Sequence, residues 1–257
     1  MNAINIGVNG AAGRMGYEII KIILNSPDLY SLKFAKSSKN LDVINSVENF
    51  PDEITDIHVV IDFSSPNATI ETVRWCAENK IPLVIGTTGF SKSQIEFIQS
   101  QASIIPILLS PNMSLSVNVL FAMAEKIGAI LPSAEVEICE AHHRNKKDSP
   151  SGTALKIGEF IASGRGDDFE QVAVYHRDRV TEEIRSQREI GFSVMRAGDV
   201  IGKHSTFFFM NGEELSITSE ITNRASFAEG ALLAAKFVKN QSPGLYSMLD
   251  ALNLSLL

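Results

Sequence analysis

The stretch EAHHRNKKDSPSGTA, residues 140–154, gathers the residue types that delivering a proton to a bound anion requires. His142 and His143 belong to the side-chain type that titrates near neutrality, which suits general acid–base work. Arg144, Lys146 and Lys147 supply positive charge to a chain whose net charge is −7, so the cluster needs a local explanation. Ser151-Gly152-Thr153 reads as the opening of a helix, whose first N–H groups are free to hold a carboxylate. Gly152 carries no side chain to keep that carboxylate away. Spacing alone leaves open which of the two histidines handles the proton. The plainer reading is a polar surface loop, with Arg144 and Lys147 solvated and Asp148 a turn residue. Adjacent histidines without a third ligand make a poor zinc site, and no metal is expected.

A second pattern lies at the start of the chain. GVNGAAGRMG follows the apolar run INIGV and precedes apolar residues at Met15, Ile19, Ile22 and Ile23, a helical face. Gly7, Gly10 and Gly13 recur at three-residue spacing, with Ala11 and Ala12 between and Arg14 and Met15 in the first turn. This departs from the G-x-G-x-x-G fingerprint but has the same physics: a tight turn whose N–H groups and helix end face a pyrophosphate. After the second strand an acid would read the ribose of NAD. Here the chain has Ala35-Lys36-Ser37-Ser38-Lys39, and no acid falls between Asp28 and Asp42. Lysines and serines suit a 2′-phosphate, so NADPH is the expected cofactor, with use of NADH left open. Three more strand ends carry small polar turns: Asp62-Phe63-Ser64, Gly86-Thr87-Thr88-Gly89 and Ser110-Pro111-Asn112-Met113-Ser114. Together they read as a floor for ribose and nicotinamide.

The elements that must position these residues alternate β-α-β up to about residue 109, with strands nearly continuously apolar: 4–8, 32–35, 58–63, 83–85 and 104–109. That is the texture of a parallel sheet covered on both faces. Ser65 with Pro66, and Ser91 with Gln94, mark helix starts, whereas 37–57 shows only a weak pattern. Beyond Pro111 come a helix over about 116–131, a strand at 135–141 and a helix over about 152–162. GRGDDFE reads as a polar loop, and β-like segments follow near 172–176, 190–196, 204–210 and 214–221. Strands without intervening helices imply an open mixed sheet. Phe227, Ala231, Ala234, Ala235 and Val238 mark one last helix, whose small residues suit packing on the first sheet. The expected class is α/β, a parallel-sheet domain joined to a smaller α+β domain.

At 257 residues, with 44% hydrophobic and 21% charged residues, the chain is long enough for two coupled domains. Its acidic balance excludes a basic nucleic-acid footprint. No apolar run is long enough to span a membrane, and MNAINIGVNG lacks the build of a signal peptide, so a cytoplasmic protein is expected. Cys76 and Cys139 sit in no metal or redox spacing. A semialdehyde dehydrogenase would need one of them as nucleophile, and both fall inside regular elements. A non-catalytic NAD(P)-binding sensor is the alternative to an enzyme; it would have no use for 142–153.

Residues 140–154 resemble the signature of the 4-hydroxy-tetrahydrodipicolinate (dihydrodipicolinate) reductase family. GVNGAAGRMG, IDFSSP, GTTG, SPNMSLSVN, MRAGDVIGKH (195–204) and NRASFAEGALLAAKF (223–237) resemble further segments of that family in the same order. Ser116 stands where the family usually has glycine, and Ser219 near a position often occupied by histidine. The resemblance implies a Rossmann domain from residues 1–114 and 223–257, and a substrate and oligomerisation domain from 115–222, in a homotetramer. It also implies reduction of a cyclic imine bearing two carboxylates by NAD(P)H, with loss of water, in the diaminopimelate and lysine pathway. By resemblance His142 is the general acid/base, Lys146 a second proton donor and substrate contact, and His143, Ser151, Gly152 and Thr153 hold substrate. Gly7, Gly10, Ala11, Ala12, Gly13, Arg14, Met15, Lys36, Ser37, Phe63, Ser64, Gly86, Thr87, Thr88, Ser110, Asn112 and Met113 form the expected cofactor set. Neither nucleic acid nor membrane is an expected partner.

Overall fold

The structure, a computed structural model, describes residues 3–37, 46–51, 56–177 and 184–254. They fall into two compact units, Met1–Leu115 with Arg224–Asn253, and Ser116–Asn223 together with Leu254.

The first unit begins β1 (Ile4–Asn9), α1 (Arg14–Asn25), β2 (Tyr30–Lys36), β3 (Val59–Asp62), α2 (Pro66–Glu78), β4 (Leu83–Ile85), α3 (Lys92–Gln101) and β5 (Pro106–Leu109). Neighbouring strands are parallel. Because strand side chains alternate between faces, Val59, Ile61, Val84 and Leu108 enter one core with Ile19 and Ile23 of α1. Val60, Leu83, Ile85 and Ile107 enter the other with Val73 and Cys76 of α2 and Ile98 of α3. Both faces are therefore buried, which is why these strands read as unbroken apolar runs. Ser65 caps α2 with Pro66 at its first position, and Ser91 with Gln94 forms a complete capping box on α3. Much of the weakly patterned segment, 38–45 and 52–55 with Ser38 and Lys39, lies outside the described residues. Val47 makes a parallel bridge to Lys36.

The second unit comprises α4 (Leu115–Ile130, all but its first residue), β6 (Glu135–His142), α5 (Gly152–Arg165), α6 (Phe169–Val172), β7 (Ala173–Val174), β8 (Ile190–Arg196), β9 (Gly202–Met210) and β10 (Glu213–Ile221). Its sheet runs β10-β9-β6-β8-β7, antiparallel on the β9 side of β6 and parallel on the β8 side. Val136, Ile138 and Phe208 pack with α4 and α5 residues into one core. GRGDDFE, expected as loop, holds structure: Gly166 closes α5 in the left-handed region at φ 70°, and Asp168 caps the single turn of α6.

The chain then completes the first unit with α7 (Ala225–Val238), β11 (Gly244–Tyr246) and α8 (Met248–Ala251). β11 adds to β5, so the sheet runs β11-β5-β4-β3-β1-β2. Ala228, Gly230, Ala231, Ala234 and Ala235 are buried, and their small size lets α7 pack beside α1 and over β3 to β5. β11 and α8 are too short for periodicity to announce them.

Candidate active site

In the first unit a cleft of about 380 Å³ opens at the ends of β1, β2 and β3, lined by Asn9, Gly10, Ala12, Gly13, Lys36, Ser37, Phe63, Ser64, Ser65 and Ala68. Gly10 sits at φ +80°, and a Cβ there would run into the Phe63 carbonyl, so only glycine fits. Its N–H and that of Ala11 both donate to the Lys36 carbonyl, at 3.0 and 3.1 Å. Gly13 precedes α1 without any side-chain cap. The first-turn N–H groups thus have no side-chain partner at the helix start, which is the arrangement a pyrophosphate takes. Lys36 Nζ lies 4.8 Å from the Phe50 ring centre, and Phe50 stacks on Trp75.

One buried carboxylate shapes this rim. Asp62 is 0% exposed. Its Oδ1 accepts from Ser64 N (3.1 Å), Ser64 Oγ, Thr69 Oγ1 and Thr87 Oγ1 (2.8 Å each). Its Oδ2 accepts from Asn9 Nδ2 (2.8 Å) and Thr72 Oγ1 (2.6 Å). The ends of β1, β3 and β4 and the start of α2 are thereby tied to one point.

Of the cofactor set expected from sequence, Gly10, Ala12, Gly13, Lys36, Ser37, Phe63 and Ser64 line the cleft. Gly7 does not: it lies inside β1, where its missing side chain makes room for the Phe34 ring. Ala11 and Met113 are core residues, Met15 packs against the same core, and Arg14 is exposed in the first helical turn. Gly86 backs onto the Phe63 ring, Thr87 is engaged by Asp62, and Thr88 is exposed. Ser110 Oγ donates to the Asn112 carbonyl (2.8 Å), and Asn112 Oδ1 accepts from Ser114 N (2.9 Å), so this turn is internally bonded. Asn9 and Ala68 join the lining without having been singled out, and so does Ser65, read from sequence only as a helix start.

In the second unit the polar cluster is built on β6. Its burial alternates, with Val136, Ile138, Glu140 and His142 all inward, so a carboxylate and an imidazole continue an apolar stripe. Glu140 is 1% exposed. His142 Nδ1 lies 2.6 Å from its Oε2. Arg196, paired with His142 across β6 and β8, donates to Oε2 and Oε1 at 2.8 and 2.7 Å. The Ser151 N–H donates to Oε1 at 2.9 Å. Burial alone would raise the Glu140 pKa, but the bonds from His142, Arg196 and Ser151 bring it down to about 2. Ser151 Oγ caps Ala154 N at 3.2 Å and meets His204 Nε2 at 3.1 Å. Burial and the neighbouring His142 push His204 down to about 4.

The loop after β6 is pinned to the β8–β9 turn: His143 N donates to the Val200 carbonyl, Arg144 N to that of Gly198, and Ala197 N to that of His142. Lys146 Nζ pairs with Asp148 Oδ1 at 3.0 Å. Burial pushes the Asp148 carboxyl up, but Lys146 and the N–H groups of Asp148 and Gly152 hold it below its ordinary value. His142 Nε2 has no hydrogen-bond partner among the described residues, and Gly202 leaves space beside it, since a Cβ there would stand 3.2 Å away. His143 Nδ1 is buried and likewise unpartnered among them. Arg144 and Lys147 are exposed, as is Gly152. The hydroxyls of Ser116 and Ser219, the two departures from the family pattern, meet each other at 2.7 Å.

The two histidines thus have different surroundings: His142 is bonded to Glu140, and His143 Nδ1 is buried without a partner among the described residues. The structure adds Glu140 and Arg196, to which sequence reading gave no role, and sets His204, the histidine of the MRAGDVIGKH segment, against Ser151. The signal for Glu140 was present: in EVEICEAH it takes the same alternate phase as the core residues Val136 and Ile138. Cys76, the candidate nucleophile of the rival reading, is buried in α2, and burial followed by the nearby Asp62 raises its thiol well above the usual range, which leaves it inert.

A glycine turn at the switch edge of a parallel sheet, together with a buried imidazole–carboxylate pair in a second unit, defines a dinucleotide-dependent oxidoreductase of two-unit build. The family model described as dihydrodipicolinate reductase, N-terminus matches residues 4–113, and the one described as dihydrodipicolinate reductase, C-terminus matches 116–252. The chain belongs to this family. A 4-hydroxy-tetrahydrodipicolinate reductase of Nitrosomonas eutropha is 41% identical over 270 aligned positions, covering 99% of this chain and 100% of its own. Among solved structures, the dipicolinate-bound dihydrodipicolinate reductase of Paenisporosarcina sp. TG-14 shares the fold at a TM-score of 0.75 and 24% identity, covering 96% of this chain and 98% of that one. The C. glutamicum DAP dehydrogenase in complex with DAP has a TM-score of 0.53 at 14% identity, over 97% and 94% of the two chains.

Proposed function

We propose that the chain reduces 4-hydroxy-tetrahydrodipicolinate to tetrahydrodipicolinate with NAD(P)H, with loss of water, in diaminopimelate and lysine biosynthesis. The observation that carries this is the open Nε2 of His142, whose ring is linked through Glu140 to the turn that opens α5, in a chain both of whose halves match the reductase family. The glycine turn, Lys36 and Ser37 fit a dinucleotide, and NADPH is the proposed preference because Lys36 offers a cation where an acid would read NAD. A reduced nicotinamide supplies a hydride when bound. The residues of the second unit then handle charge and the proton. His142 presents Nε2 as the general acid/base, with Lys146 a second donor. His143 Nδ1, Lys146 and the backbone of Gly152 and Thr153 take the substrate carboxylates. Ser151 supports this turn without holding substrate itself, because its N–H is given to Glu140 and its hydroxyl is held by Ala154 and His204. Asp148 now satisfies Lys146 and the Gly152 N–H, so a substrate carboxylate replaces an internal one there.

A cytoplasmic homotetramer completes the proposal. No helix of the described residues is long and apolar enough to cross a membrane. The face of the second sheet opposite its core carries Phe207 and Phe209, stacked at 6.0 Å, with Phe209 exposed, which suits burial against another subunit. The test mixes the condensation product of pyruvate and aspartate-semialdehyde with each cofactor and follows nicotinamide absorbance. Oxidation faster with NADPH than with NADH is expected; no oxidation with either overturns the reading.

A further inference from the structure

Among the described residues of the second unit Glu140 is the only buried carboxylate, and no chemical step above uses it. Its oxygens receive four hydrogen bonds, two each: Oε1 from Ser151 N and Arg196 Nη2, Oε2 from His142 Nδ1 and Arg196 Nη1. Every lone-pair site of the carboxylate is then filled. With its pKa near 2, Glu140 has no proton to give at neutral pH, so His142 Nδ1 is the donor. In the neutral ring Nε2 is then the bare nitrogen, the atom that takes up a proton before handing one to substrate.

We propose that Glu140 is a positioning residue: held by Arg196, it fixes His142 as the Nδ1–H tautomer and ties that ring, through the Ser151 N–H, to the turn that opens α5. One carboxylate thus sets the proton-handling atom and the anion-binding turn in register. Arg196 extends the link, since its Nη2 also donates to the Asp148 carbonyl at 2.6 Å and Asp148 holds Lys146. The inference rests on the reductase reading for the role of His142, but the tautomer is a property of the free protein.

The substitution Glu140→Gln tests it sharply. A glutamine keeps the shape and places an NH2 where one oxygen was. At the Oε1 position that NH2 would face the Ser151 backbone N–H, a donor that cannot change roles. At Oε2 it faces His142, whose ring can exchange tautomers. The amide therefore settles toward His142 and turns it into the Nε2–H form. Long-range proton–nitrogen spectra of histidine-labelled protein, with His142 assigned by its loss in His142→Asn, read this directly. The expected wild type is Nδ1–H and the expected E140Q is Nε2–H. Turnover in E140Q falls roughly 10²–10⁴-fold, the range for a lost or mis-set acid–base group, while NADPH affinity is unchanged. A wild-type His142 in the Nε2–H form overturns the proposal, as does a folded E140Q with wild-type turnover. Should E140Q not fold, the wild-type spectrum decides alone. If wild type itself shows no reductase turnover, the reductase reading fails, and the two spectra still decide the role of Glu140.

Discussion

Replacing Asp62 by asparagine separates the hub reading of the cofactor rim from ordinary turn chemistry. The amide has one acceptor oxygen in place of two. Set at the Oδ1 position, its NH2 would meet four donors, from Ser64 twice, Thr69 and Thr87, so it turns to Oδ2. There it meets Asn9 Nδ2 and Thr72 Oγ1. Thr72 can give its proton to the Ala68 carbonyl, 2.9 Å away, and accept from the new amide. Asn9 Nδ2 cannot reverse, though it keeps Thr72 Oγ1 at 2.8 Å as a partner. One hydrogen bond to a charged acceptor is lost, at about 1.5–3 kcal/mol, and the others weaken as the acceptor becomes neutral. A loss of about 3–5 kcal/mol in the stability of the first unit follows. The chain's single tryptophan, Trp75 in α2, reports that unit, so fluorescence in urea gives the midpoint shift. Because Asn9 and Ser64 line the cleft, the NADPH dissociation constant should also rise by about tenfold or more, roughly 1.4 kcal/mol. A D62N protein within about 0.5 kcal/mol of wild type, in the range of a neutral surface change, would show that the six bonds are decoration.

Acid should weaken the second unit in two stages. His204 is depressed to about 4 in the fold, so the unfolded chain binds the extra proton first. Its contribution is complete above pH 6.5 and is lost as pH falls from 6.5 through 4, about 3 kcal/mol in all. Glu140, depressed to about 2, adds a loss of similar size, about 3 kcal/mol, as pH falls from 4.5 through 2. Circular dichroism in urea at a series of pH values reads both, and His204→Gln should flatten the first stage only; an unchanged slope between pH 6.5 and 4 refutes it. For the cofactor, Lys36→Ala should weaken NADPH by roughly 10–100-fold, the worth of one charged hydrogen bond, and leave NADH nearly untouched. Equal losses for both, measured by titration, would remove Lys36 from the 2′-phosphate.

Much of the scaffold was legible because it rests on local rules. Parallel strands buried on both faces announce themselves as apolar runs, and the caps at Ser65 and Ser91 act within three residues. The glycine turn was legible as a pattern but not residue by residue. Gly7 and Gly10 look alike in sequence, yet one makes room for Phe34 and the other adopts a positive φ. The buried charges were the hardest part. Glu140 becomes intelligible only when Arg196, fifty-six residues away, is placed beside it, and that depends on β6 pairing with β8 rather than on any local signal. The same holds for His204, set opposite Glu140 by the β6–β9 register.

That register is also what makes the site dependable. A one-residue slip of β6 would carry Glu140 and His142 to the opposite face of the sheet. It would carry Val136 and Ile138 with them, out of the core they share with Phe208, Ala154, Ile157 and Ile161. Two fully buried aliphatic side chains are worth about 1.5–3 kcal/mol each, so the apolar half of the strand holds the polar half in phase. The carboxylate and the imidazole could not fix their own strand, because pairing buried charges barely offsets their desolvation. The hydrophobic residues at 136 and 138 thus do for β6 what Glu140 does for His142: each removes an alternative position from the group that follows it.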